Sequence, residues 1–260
     1  MADQRERADL RRRIYGESDL GALSVFAGGY INFGYWRDIP LDRLTRAHRI
    51  ASEEALYDVV FDAVGLTAGD RLVEVGCGQG LGARRATLHR PGRVCGVDLL
   101  SEQVTRARAG GGEFMQGAAD DLPLPDDSFD RVISVEAAQH FEDLAGFARE
   151  SMRVLAPGGT LAVTTFFGER PDELAELLET FASGLDLAHP IEGFLADLRE
   201  AGFTDVLSVS VGEHVWNGLD RWLVAAGRGE CWDRNWKTAA DLGLVDYHLI
   251  TARKPAGSGG

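Results

Sequence analysis

Residues 72–99 read LVEVGCGQGLGARRATLHRPGRVCGVDL. An acid (Glu74), three alternating glycines (Gly76, Gly78, Gly80) with Cys77 between the first two, and a second acid (Asp98) lie in and between two apolar runs. Glycines let a backbone turn tightly and let a ligand approach without Cβ collisions. The apolar runs at 71–75 and 93–99 read as short buried strands, so the glycines form the loop after the first and Asp98 ends the second. In an open parallel sheet ligands sit beyond the carboxyl ends of the strands. A carboxylate at Asp98 can there accept both hydroxyls of a ribose. Two ligands meet this demand. A dinucleotide needs G-x-G-x-x-G with its pyrophosphate on the helix N-terminus. That register fails, because Leu81 stands where the third glycine belongs; the shifted register Gly78, Gly80, Ala83 starts late. S-adenosylmethionine (SAM) has no phosphate, and its ammonium and sulfonium are cationic. Glu74 would repel a pyrophosphate and suits an ammonium.

A second group of reactive residues stands in EAAQHF, residues 136–141. His140 has an ordinary pKa near ~6.5 and can accept a proton at neutral pH. A packed or helix-capping histidine is the alternative. Glu136 can contact the amino-acid end of SAM, contact a substrate, or cap a helix. Cys77, Cys95 and Cys231 are too widely spaced for a disulfide framework or a metal motif. The six histidines show no metal-ligand spacing either, so no metal is expected.

The elements that must position these residues alternate. Helical spacing of apolar residues spans 41–64 and ends at Gly65. Strand 71–75 precedes a helix over 80–88; strand 93–99 precedes a helix over 101–109 capped by Ser101. Strands are predicted at 112–118 and 131–136, a helix over 143–155, and a fifth strand at 160–167. Two helices broken at Pro190, a sixth strand at 202–211, helical or irregular chain to about 242, and a last strand complete the pattern. Such alternation implies a mostly parallel sheet with helices on both faces. The charged start, 1–14, reads as a frayed amphipathic segment. SVFAGGYINFGYW, 24–36, is too irregular for a helix and too apolar for a free loop. The chain divides into a lid segment (1–64), a ligand-binding core (65–170), late strands with cap insertions (171–254) and a flexible tail (255–260). One domain with an attached lid is expected, two small domains being the alternative.

A net charge of −14 argues against a nucleic-acid or anionic-membrane partner. No apolar run suggests a signal peptide or a membrane span. A cytoplasmic protein acting on a small molecule is expected.

VEVGCGQG resembles the E-x-G-x-G-x-G signature of class I SAM-dependent methyltransferases. GVDLLSEQVTRAR, GAADDLPLPDDSFDRVISVEAAQHFED and RVLAPGGTLAVTTF resemble the family's later motifs. The resemblance implies a Rossmann-like α/β fold: a seven-stranded sheet with an antiparallel last strand and a helical and aromatic lid. It implies that Gly76, Gly78 and Gly80 line the methionine and ribose of SAM, that Asp98 holds the ribose hydroxyls with Gln103 adding a contact, and that Leu99 packs on adenine. Ala119 offers its N–H to the adenine ring. Ala118 stands where related sequences often have Asp, removing an expected acceptor; Asp120 replaces it, or pairs with Asp121 as a turn cap. His140 sits where small-molecule O-methyltransferases of this group have a histidine base. Some of those relatives carry an acid after the fifth strand; here Thr164-Thr165-Phe166-Phe167 offers none. YINFGYW resembles the lid segment of sugar, tocopherol and natural-product methyltransferases, where Tyr30, Asn32, Tyr35 and Trp36 would cover SAM and exclude water; anchoring the first helix is the alternative. Phe181, Phe194, Trp216, Trp222, Trp232 and Trp236 would cap an apolar acceptor pocket or pack the core. GEHVWNGLDRWL and GLVDYHLITARK resemble C-terminal parts of bacterial secondary-metabolism methyltransferases.

The expected function is therefore methyl transfer from SAM to a small, secondary-metabolite acceptor. Oxygen is the first choice of atom and an alkene, prenyl or aromatic carbon the second. A non-methylating enzyme of the same fold, such as a cyclase, and a nicotinamide-dependent oxidoreductase are the more distant alternatives.

Overall fold

The computed structural model describes residues 3–23, 25–228 and 234–257. Ser24, Cys231, Trp232 and tail residues 258–260 lie outside the described residues. The first helix, α1 (Gln4–Arg11), starts at a capping box: Asp3 accepts the Glu6 N–H and Glu6 accepts the Asp3 N–H, both at 2.9 Å. It runs on as a π-helical stretch, Arg12–Glu17. The expectation of a frayed start is corrected here. Arg7 and Arg11 both pair with Glu142, and Arg12 pairs with Glu102 at 2.9 Å. Arg106 donates to the carbonyls of Tyr15 (2.9 Å) and Gly16 (2.5 Å). Charge-assisted bonds of this kind hold a segment that propensity alone would leave loose.

Helix α2 (Arg46–Ala63) begins later than its apolar spacing suggests, because Thr45 caps it through the His48 N–H. The core then alternates: β1 (Arg71–Val75), α3 (Leu81–Ala86), β2 (Arg93–Asp98), α4 (Ser101–Ala109), β3 (Glu113–Gln116), β4 (Phe129–Val135), α5 (Leu144–Val154) and β5 (Leu155–Gly168). Ser101 is the first residue of α4 rather than its cap. Asp98 serves that end instead, accepting the Leu100 N–H at 3.0 Å. Helices α6 (Pro171–Leu177), α7 (Glu179–Ala182) and α8 (Ile191–Glu200) precede β6 (Thr204–Ser210); α9 (Trp216–Ala225) and α10 (Asn235–Asp241) precede β7 (Val245–Arg253).

The seven strands form one sheet in the order β3-β2-β1-β4-β5-β7-β6. The first five pair in parallel, and β7 runs antiparallel to both β5 and β6. This is the α/β Rossmann-like architecture the sequence implies, with helices on both faces. One face packs Leu56, Val60 and Phe61 of α2 with Leu219 of α9 and Trp236 of α10. The other packs Phe147 and Val154 of α5 and Phe194 and Leu198 of α8 on Val73, Val132 and Leu161. Each such side chain, fully buried, contributes roughly 1.5–3 kcal/mol. Because β1 pairs with both β2 and β4, the strand order reverses there and a crevice opens beyond the strand ends. Among the described residues no helix is long and apolar enough to cross a membrane.

Candidate active site

A cavity of about 710 Å³ occupies that crevice. Gly76, Cys77 and Gly78 line it from the end of β1, Asp98 and Leu99 from β2, and Gln103 from α4. Ala118, Ala119 and Asp120 line it from the turn after β3, and Glu136 and His140 from the turn after β4. The N-terminal segment from α1 into its π-helical continuation contributes Arg11, Ile14 and Tyr15, and the segment 25–36 contributes Tyr30 and Phe33. A second cavity, of about 560 Å³ beside α10, is lined by Trp216 of the named aromatics and by none of the residues expected to bind SAM or act as base.

The glycine loop is set by its own backbone. Gly76 (φ +78°) donates to the Val97 carbonyl at 2.8 Å. A Cβ there would stand 2.3 Å from that of Ala137, whereas one at Gly78 would meet open space. Asp98 accepts the Gly78 N–H at 2.8 Å through Oδ2 and the Leu100 N–H through Oδ1. Burial raises its pKa, and those two N–H groups oppose the rise.

Five of the residues expected around SAM do not line the cavity. Glu74 is buried beneath the loop, where Tyr57 O–H donates to it at 2.9 Å. Burial pushes its carboxyl up to about 8, against the Tyr57 and Ala83 donors. Gly80 (φ +73°) faces the Phe114 ring, which a Cβ would strike at 2.4 Å, and forms the left-handed start of α3. Tyr35 packs edge-on against His214 at 5.1 Å, its N–H donating to the Ser52 carbonyl. Trp36 lies under the Arg49 guanidinium and beside Gly218. Buried Asn32 accepts the Gly34 N–H and donates to the Glu53 carbonyl. Tyr35, Trp36 and Asn32 thus anchor segment 25–36 to α2 and α9; Tyr30 alone of the named four lines the cavity.

His140 is almost enclosed. Its Nδ1 lies 2.9 Å from the Leu185 carbonyl and 3.2 Å from Asp186 Oδ1. Both are acceptors, so Nδ1 carries the proton and Nε2 is bare in the neutral ring. Tyr15 O–H donates to Nε2 at 3.0 Å, and the Gln139 amide stands at 3.3 Å. Burial lowers the His140 pKa, with Asp186 and the Leu185 carbonyl opposing. Burial also raises the Asp186 and Tyr15 pKa values, so the phenol keeps its proton. The Leu187 N–H donates to the Gln139 carbonyl at 2.9 Å and ties the segment carrying Asp186 to the histidine turn. Asp186 and Tyr15 were not singled out from sequence. Neither stands in a motif, and each arrives from a segment with no spacing relation to His140.

The loop fits SAM. Its cavity-lining residues from 76 to 81 and from 98 to 103 include a carboxylate and no basic side chain, so a cation is favoured there over an anion. Residues 73–163 match the methyltransferase domain family. The chain is 33% identical over 219 residues to erythromycin 3''-O-methyltransferase of Saccharopolyspora erythraea, covering 75% of this chain and 69% of that one.

The chain belongs to the SAM-dependent methyltransferases.

This methyltransferase is also 29% identical over 278 aligned positions to 27-O-demethylrifamycin SV methyltransferase of Amycolatopsis mediterranei, covering 95% of this chain and 94% of that one. In three dimensions it superposes on the 4+2 cyclase SpnF with a TM-score of 0.70 at 25% identity, covering 95% and 97% of the two chains. The methyltransferase uses SAM and a small-molecule acceptor. The nicotinamide alternative falls with this assignment, as the broken glycine register had suggested.

Proposed function

We propose that this enzyme methylates a hydroxyl oxygen of a small, largely apolar acceptor and that His140 is the base. The observation carrying this reading is His140 at the cavity wall with two acceptors, Asp186 Oδ1 and the Leu185 carbonyl, against Nδ1, an arrangement that puts the ring proton on Nδ1 and leaves Nε2 unprotonated. SAM supplies an electrophilic methyl group on a sulfonium. Asp98 accepts the ribose hydroxyls; Gly76, Gly78 and the Cys77 backbone admit the methionine portion. Leu99, Ala118, Ala119, Asp120 and Gln103 enclose the nucleoside.

Tyr15 O–H now holds the position from which an acceptor hydroxyl would donate to Nε2. The acceptor takes that position when Tyr15 yields it. Nε2 then receives the proton as the oxygen attacks, and Asp186 stabilises the imidazolium. Apolar walls from Phe33, Phe166, Leu219, Leu223 and Trp236 exclude water and orient the acceptor. The two O-methyl-transferring relatives support oxygen as the atom.

The test follows S-adenosylhomocysteine (SAH) release against a panel of hydroxylated apolar acceptors, with wild type and His140→Ala. A fall of roughly 100- to 10,000-fold in turnover is expected, with SAH affinity kept. Unchanged turnover removes His140 as base. SAM binding without SAH release from any acceptor would favour the non-methylating alternative.

A further inference from the structure

Along the sheet, the crevice divides by strand. The ends of β2 and β1 carry Asp98 and the glycine loop; the ends of β4 and β5 carry Glu136 and Phe166. Glu136 has a left-handed backbone (φ +45°). A residue with a side chain rarely adopts this, and such strain gathers at functional sites. The conformation is held by its own N–H, which donates to the Thr164 carbonyl at 2.8 Å, and by the Gln139 amide, which donates to its carbonyl at 2.9 Å.

Its carboxylate is asymmetrically engaged. Oε1 accepts both the Phe33 N–H and the Tyr247 O–H, each at 2.6 Å. Oε2 accepts no hydrogen bond from the described residues, and Glu136 lines the cavity. Phe33, Phe166 and Trp236 line it too. Phe33 and Phe166 stack at 5.8 Å, and Trp236 stands 4.7 Å from Phe166. A carboxylate can only accept, and in apolar surroundings an open acceptor favours a ligand that brings a donor. Burial pushes the Glu136 carboxyl up to about 7, against the two donors on Oε1 and Arg49.

We infer that Glu136 is the acceptor's second anchor: Oε2 takes an O–H or N–H of a planar acceptor lying against Phe33, Phe166 and Trp236, while another hydroxyl reaches His140. This rests on the reading of His140 as base and deepens it, since the substrate class becomes aromatic or conjugated molecules with two separated donors. The competing occupant of Oε2 is the ammonium of SAM.

The test titrates the SAH-loaded enzyme with a dihydroxynaphthalene bearing one hydroxyl on each ring, and with its mono-methyl ether. At a pH well above 7, where the Glu136 carboxyl is ionised, wild type should bind the diol about tenfold more tightly, as expected for one hydrogen bond to a charged group. In Glu136→Gln the amide oxygen keeps the Phe33 and Tyr247 donors and turns its NH₂ to the cavity. The diol preference should vanish there, with SAH affinity unchanged. Equal affinities in wild type, no binding of either probe, or a preference that survives Glu136→Gln overturns the inference. A loss of SAH affinity in a Glu136→Gln protein that unfolds at the wild-type temperature gives Glu136 to the cofactor and also overturns it. The wild-type comparison needs no variant to fold. His140→Ala separates the two readings: methyl transfer surviving that change sinks the base and leaves the diol preference to be judged alone.

Discussion

Asp186 Oδ1 lies 3.2 Å from His140 Nδ1, brought there by the segment between α7 and α8. Some relatives carry an acid after the fifth strand; Thr164 to Phe167 offer none there, which left open whether His140 has an acidic partner. An acid beside His140 is present and comes from the segment between α7 and α8. Asp186→Asn should lower turnover roughly 10- to 100-fold, because the ring loses the charge that stabilises its protonated form. SAH titration should show the cofactor site intact. Full turnover would mean the pair is merely structural.

The same pair sets a pH dependence. Burial holds the His140 pKa below 6.5, so the base stays neutral down into the acid range. Measured with an acceptor bearing a single hydroxyl, so that ionisation of Glu136 does not enter, the acid limb of kcat/KM should therefore fall below pH 6.5. Asp186 raises the His140 pKa, so Asp186→Asn should move that limb further to acid. A limb above 6.5 in wild type would assign it to another group.

Asp98 has two tasks in one carboxylate. It holds the Gly78 and Leu100 N–H groups, and in the proposed site it also receives the ribose hydroxyls. Asp98→Ala should weaken SAM binding roughly 10- to 100-fold by calorimetry. Unaltered affinity would break the ribose assignment.

The glycines of the loop should fail differently. Gly76→Ala puts a methyl 2.3 Å from Ala137 Cβ at a φ of +78°. It should cost about 1–3 kcal/mol of stability from backbone strain alone, read as a lower urea midpoint. Gly78→Ala, at a φ of +50°, carries the backbone strain without the clash, since its methyl meets open space. Its larger effect should fall on SAM affinity, because the new methyl points where the cofactor is proposed to lie.

Glu74 should reveal itself in stability rather than binding. Its carboxyl rises from 4.5 to about 8 on folding. The folded state then holds a proton that the unfolded state releases, so this group's contribution is full below 4.5 and is lost as the pH rises to about 8. Glu74→Gln should gain stability relative to wild type between urea midpoints taken near pH 5 and near pH 9. A constant difference would mean Glu74 does not titrate in that window.

What the sequence determined by itself is what is local. The strand and helix alternation follows from apolar periodicity, and the glycine loop and Asp98 fall within 28 consecutive residues joined by two short strands. Turn chemistry and strand order place them together with no long-range information. What packing decided is which way side chains face and which distant segments meet. Strand β1 is buried on both faces, so no alternation of polarity told that Glu74 points beneath the loop while Gly76 opens on the cavity. Tyr35 and Tyr30 look alike in the lid, yet only Tyr30 lines the cavity, because Tyr35 packs against His214 near the start of α9. Tyr15 and Asp186 converge on His140 from opposite sides of the chain order. Their meeting depends on arginine tethers to α4 and the histidine turn and on a backbone bond from Leu187 to Gln139, and such contacts leave no spacing to read in a single sequence.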